Sequence, residues 1–112
     1  MRTEHRARLG LAAGSELLGV YPHMHALGRR LSLRAWLDRT VPEPTCLVEV
    51  PRWDYTFQEL ALYRAPLRIA AADPELAIEC EHGTLGVDRQ VRWGERMEDE
   101  MCMAFLVTAL PR

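Results

Sequence analysis

His23 and His25 stand one residue apart in the stretch Tyr21-Pro22-His23-Met24-His25-Ala26-Leu27-Gly28-Arg29-Arg30. On an extended chain, side chains two apart leave from the same face, so the two imidazoles lie side by side and Met24 points the other way. Neutral imidazole binds both copper and zinc, and the third ligand separates the metals. A thioether favours Cu(I), whereas Cys or a carboxylate favours zinc. Two histidines in this spacing are by themselves more often polar residues near a strand end than a metal clamp, so the third ligand decides.

The C-terminal half supplies candidates. Asp99-Glu100-Met101-Cys102 opens the most apolar stretch of the chain. Taken alone, Met101 and Met103 read as ordinary core methionines. Cys80 and Cys102 could be bridged if their Cα atoms come close enough, and such a bond would hold Met101 in place. His82, two residues beyond Cys80, would approach the Glu100 to Met101 region if those two strands paired antiparallel. A half-exposed histidine at a strand end is the expectation for it, with a fourth-ligand or supporting role behind a metal ligand as the alternative. Cys46 is expected as a small buried hydrophobe, with an intermolecular disulfide as the alternative.

These residues need a frame to position them, and the frame reads as all-β. Glycine and proline recur too often for long helices, and short segments between them suit strands: 16–21, 30–37, 46–50, 60–63, 67–70, 76–82, 87–93 and 101–109. In Leu31 to Leu37 the odd positions are apolar, and Leu76, Ile78 and Cys80 oppose Ala77, Glu79 and Glu81. Met101 to Val107 is apolar on both faces and reads as a central strand covered twice. Residues 55–63 fit either a helical turn leading into a strand or a strand throughout. Short strands at this spacing suggest a β-sandwich. Trp53 and Trp93 are expected to close its ends, with Arg52, Asp54, Arg92 and Glu95 as ion-pair candidates around the rings or as a solvated face.

At 112 residues the chain suits one domain, read as residues 15–112 preceded by an N-terminal extension over 1–14. A net charge of −2 gives no basic footprint for nucleic acid, and all fourteen basic residues are Arg. The first ten residues lack the apolar core of a secretory signal, and no run is long enough to span a membrane. The chain is accordingly expected to be a mature form or a domain fragment.

Taken together, His23-Met24-His25-Ala26-Leu27-Gly28, Trp53-Asp54-Tyr55 with Phe57-Gln58, and Val91-Arg92-Trp93-Gly94-Glu95 leading to Asp99-Glu100-Met101-Cys102 resemble a known family. It is the C-terminal domain of the copper type II, ascorbate-dependent monooxygenases, which include peptidylglycine α-hydroxylating monooxygenase and dopamine β-hydroxylase. The likeness runs from about Gly19 to Ala109 and is strongest to the shorter bacterial members. It implies an eight-stranded jelly-roll-like antiparallel sandwich with one copper on His23, His25 and Met101, where dioxygen is activated to hydroxylate a C–H bond. It also implies a Cys80 to Cys102 disulfide, and hence a periplasmic or extracellular setting for the parent protein.

In that family a second copper, held by three histidines on an N-terminal domain, delivers an electron. His5 is the only histidine ahead of His23. The chain is therefore expected to be an incomplete enzyme that draws electrons from a partner domain, an electron-donor protein, ascorbate or another reductant. The alternative is a copper-binding module without turnover, serving storage, delivery or sensing. Exposed edge strands would favour self-association into a homo-oligomer.

Overall fold

The structure, a computed structural model, describes residues 1–111. Seven strands are present: β1 Arg2–Arg8, β2 Glu16–His23, β3 Gly28–Trp36, β4 Thr45–Val50, β5 Ala61–Arg68, β6 Glu75–His82 and β7 Met103–Ala109. All pair antiparallel, in a four-stranded sheet ordered β1-β6-β3-β4 and a three-stranded sheet ordered β5-β2-β7. Leu17 and Val20 of β2 join Leu31 and Leu33 of β3, Leu47 of β4, and Ile78 and Cys80 of β6 in one buried cluster. This is the expected all-β sandwich, with seven strands where about eight were read. No helix among the described residues is long and apolar enough to cross a membrane.

Alternation built the central strands as expected. Leu31, Leu33, Ala35 and Leu37 enter the core. Trp36 lies on the opposite face, with the guanidinium groups of Arg6 and Arg34 at 5.0 and 5.7 Å from its ring. The outer face of the larger sheet is a ladder of exposed ion pairs, Arg2 to Glu79 at 3.2 Å and Arg6 to Glu75 at 2.9 Å among them. The smaller sheet differs. Its outer face carries the Tyr21 and Phe105 rings 6.3 Å apart, with Leu62 and Val107 also exposed.

Four readings of the sequence need correction. Met101 to Val107 is not a doubly covered central strand: β7 lies at the edge of the smaller sheet, with Phe105 and Val107 open to solvent. Segments 60–63 and 67–70 are largely one strand, β5, which tolerates Pro66 because it too lies at an edge, where a missing N–H breaks no central ladder. Residues 87–93 form no strand. Turns at Gly86 (φ +83°) and between Arg96 and Asp99 meet backbone needs locally, leaving an isolated bridge from Trp93 to Glu100. Cys46 is exposed on edge strand β4 rather than buried. At 55–63, the Phe57 amide donates to the Asp54 carbonyl at 3.0 Å, closing one turn before β5 begins.

Residues 1–14 include β1, which pairs along the whole of β6 from Arg2 opposite Glu81 to Arg8 opposite Glu75. In the other sheet, β2 and β5 approach closely at Gly19, where a Cβ would fall 2.6 Å from the Ala61 carbonyl oxygen and 2.8 Å from Leu62 Cδ2. The oxygen belongs to the paired backbone and cannot swing aside. Gly19→Ala is therefore expected to destabilise the domain by about 1–3 kcal/mol through overpacking. Urea unfolding would check this, and a loss within about 0.5 kcal/mol, the ordinary surface value, would show that the strands part freely.

Candidate metal centre

β2 ends at His23, and a tight turn, closed by the Gly28 amide donating to the His25 carbonyl at 3.1 Å, leads into β3. Met24 is fully buried in the core, as its expected opposite orientation requires, and anchors the turn between the two histidines. The His23 and His25 rings stand edge to face with centroids 5.1 Å apart. His25 is buried and His23 half-buried. The Trp53 indole N–H donates to the His25 carbonyl at 3.1 Å, which fixes the peptide on the far side of the turn.

Hydrogen bonds to the two rings select their tautomers. Gln58 donates its side-chain N–H to the Tyr55 carbonyl at 3.0 Å, so its amide oxygen is the atom that meets His23 Nδ1 at 2.7 Å. An amide oxygen only accepts, hence His23 Nδ1 carries the proton. His25 Nδ1 meets the Asp99 carbonyl oxygen at 2.9 Å and must likewise donate. In the neutral rings both Nε2 atoms are left with lone pairs, the arrangement in which a histidine binds metal while its other nitrogen is held by an acceptor.

The loop that brings Gln58 into place is itself fixed by a side chain. Asp54 accepts from the Thr56 hydroxyl at 2.7 Å and from its amide at 2.9 Å. These contacts, the hydroxyl first, hold the Asp54 carboxyl below the usual carboxylate range. The folded value being the lower one, this turn's contribution is present above the ordinary Asp pKa and is lost as pH falls through the depressed one. Arg52, Asp54, Arg92 and Glu95 enter no ion pair among the described residues, and Asp54 bonds Thr56 instead.

A buried carboxylate ties the 99–101 segment to the histidine turn. Glu100, 3% exposed, accepts from the His25 amide at 3.0 Å, the Leu27 amide at 2.8 Å and the Met101 amide at 3.3 Å. His82 Nε2 lies 3.0 Å from the same carboxylate and 3.2 Å from the Met101 carbonyl oxygen. His82 does approach Glu100 and Met101, but across the two sheets, because β6 pairs only with β1 and β3. It is also buried, not half-exposed: the rings of His82 and Trp93 meet edge to face at 5.4 Å.

Cys80 and Cys102 form a disulfide with Cα atoms 5.9 Å apart. It joins β6 of one sheet to the residue leading into β7 of the other. Met101 lies between this bond and Glu100, and lines a cavity of about 270 Å³ with Trp93, Met103 and His5. Neither His23 nor His25 lines that cavity. The backbone register nevertheless relates them: Tyr21 opposes Phe105 and His23 opposes Met103. The pairing ends there, and beyond it the Asp99 carbonyl, not Met101, meets the His25 ring.

Among the described residues no three His, Cys, Asp or Glu side chains gather as a metal cage. Gln58, Asp99 and Glu100 emerge as the residues that orient the candidate ligands, although no pattern of type or spacing marked them for that role. A search of curated proteins finds no match to the chain. Residues 3–109 match the family model described as the copper type II ascorbate-dependent monooxygenase C-terminal domain, and the chain belongs to that family.

Proposed function

We propose that His23, His25 and Met101 hold one copper ion through two Nε2 atoms and a thioether, and that the domain is the oxygen-activating half of a copper monooxygenase. The observation that carries this reading is the pair of Nδ1 hydrogen bonds, to Gln58 and the Asp99 carbonyl, which leaves both Nε2 atoms available on neighbouring rings. A soft sulfur beside two imidazoles suits the reduced metal. When bound, copper supplies the one-electron chemistry that turns dioxygen against a substrate C–H bond. The residues hold the ligand tautomers, and Glu100 keeps the Met101 segment against the histidine turn.

Electrons are drawn from outside these residues. Beyond His23 and His25 the chain holds only His5 and His82, and His82 is engaged by Glu100, so a second site of three histidines cannot be assembled from it. A partner redox domain, a donor protein, or ascorbate or another small reductant fills that role. The Cys80–Cys102 bond supports an oxidising, periplasmic or extracellular setting. The second reading, a copper module for storage, delivery or sensing, is favoured by the small size of the cavity beside Met101. Dioxygen uptake by the copper-loaded, reduced domain supports the enzymatic reading, and its absence supports the module.

Copper stoichiometry and affinity, measured separately for Cu(I) and Cu(II), test the ligand set. One copper per chain is expected, lost in His23→Ala. Met101→Ala should weaken Cu(I) by roughly tenfold or more, about 1.4 kcal/mol, and Cu(II) by less. Gln58→Ala frees the His23 ring and should weaken both ions by roughly 10- to 100-fold. If His23→Ala and Met101→Ala both bind as the parent does, the proposed centre is wrong.

A further inference from the structure

A second concavity, of about 610 Å³, has none of His23, His25 and Met101 in its lining. Its charged groups are Arg29, Arg30, Arg52 and the Met1 ammonium, which donates to the His82 carbonyl at 2.7 Å, against a single acid, Glu81. Glu81 is already engaged by Arg2 at 3.8 Å, and Arg30 leans on Glu49 at 3.4 Å. Among the described residues, Arg29 and Arg52 have no carboxylate within 4.0 Å. The concavity therefore presents two guanidinium groups whose charge the protein does not answer.

Two features show how the walls are held. Gly83 donates its amide to the Leu27 carbonyl at 2.8 Å, and the Arg29 guanidinium lies so close to it that any Cβ at this position would collide with the guanidinium atoms. The missing side chain lets Arg29 lie against backbone at the wall. Trp53 is tied at both ends, its backbone amide to the Arg29 carbonyl at 2.8 Å and its indole N–H to the His25 carbonyl at 3.1 Å. A fixed aromatic ring thus flanks the arginines, with Pro51 and Leu85 adding apolar surface.

We propose that this concavity binds a small organic anion, its oxyanion group meeting Arg29 and Arg52 and its planar or apolar body lying against Trp53. Guanidinium recognises carboxylate and phosphate oxygens in a planar, two-point fashion, and it stacks with flat rings, so both parts of such a molecule are answered. The volume lies within the ordinary range for small-molecule sites. Binding involves no copper ligand, so this inference stands or falls independently of the metal centre.

The test is a titration of the metal-free full chain with benzoate, phenyl phosphate, benzamide and inorganic phosphate, following the three indole N–H signals by NMR. Benzoate or phenyl phosphate should shift the Trp53 signal saturably and leave Trp36 and Trp93 in place; which of the two binds more tightly identifies the oxyanion. Benzamide and inorganic phosphate, each lacking one half of the recognised structure, should bind at least roughly tenfold more weakly. Arg29→Ala and Arg52→Ala should each weaken binding by roughly tenfold. Both side chains are exposed, so the fold should survive, and Arg64→Ala on β5, equally exposed, should change nothing. Equal binding of benzamide and benzoate, equal weakening by Arg64→Ala, or no saturation with any of the four probes would overturn the proposal.

Discussion

Glu100→Ala is expected to cost the domain roughly 2–6 kcal/mol, the cost of leaving two buried amide donors without an acceptor. The size follows from what is left behind. Glu100 accepts from the amides of His25, Leu27 and Met101 and meets His82 Nε2, all within 3.3 Å. In the alanine variant His82 retains the Met101 carbonyl, but the His25 and Leu27 amides lose their acceptor in a site only 3% exposed. Each buried orphaned donor costs about 1–3 kcal/mol. Glu100→Gln keeps one accepting end, and whichever way the amide turns, its NH2 end faces a donor. Its loss should therefore be intermediate. Because a domain of this size is stable by only about 5–15 kcal/mol, the alanine variant should unfold at markedly lower urea. An alanine variant within about 1 kcal/mol of the parent would mean that the carboxylate does not hold these segments together.

That network marks the boundary of what could be read from residues in order. His23, His25 and Met101 are candidate ligands on the family resemblance rather than on residue type alone, and the Cys80–Cys102 bond that it also implied was legible. The groups that orient the ligands were not. Asp99 acts on His25 through its backbone carbonyl, which every residue possesses, so no side-chain pattern betrays it. Gln58 works only because Tyr55 takes its N–H and turns its oxygen toward His23. Glu100 stands beside Glu98 and Asp99 with nothing in its residue type to set it apart, and it is the packing around it that buries it.

The fold divides along a similar line. Leu31 to Leu37 and Leu76 to Cys80 could be placed because each has one wet and one dry face. Met101 to Val107 misled because an apolar face open to solvent looks, in sequence, like one that is covered. β1 escaped notice for the opposite reason. Arg2, Glu4, Arg6 and Arg8 alternate with Thr3, His5 and Ala7, so its period of two is written in charge, and its partners are the acids of β6. Residues 87–93 have strand-forming side chains, but in place of a ladder Val87 donates to the Thr84 carbonyl and Arg92 accepts from the Glu100 amide.

Reduction of the Cys80–Cys102 bond should lower stability by about 3 kcal/mol, the chain-entropy value for a closed loop of this length. Comparing oxidised and reduced forms of the parent, rather than alanine variants, keeps the buried Cys80 sulfur in place and isolates the cross-link from a packing loss. For a domain near this size the fall in Tm should be roughly 10–20 °C. The comparison is made on metal-free protein, because the two thiols released beside Met101 would themselves bind Cu(I) and be reoxidised by Cu(II). An unchanged Tm with both thiols shown to be free would remove the staple from the account of stability.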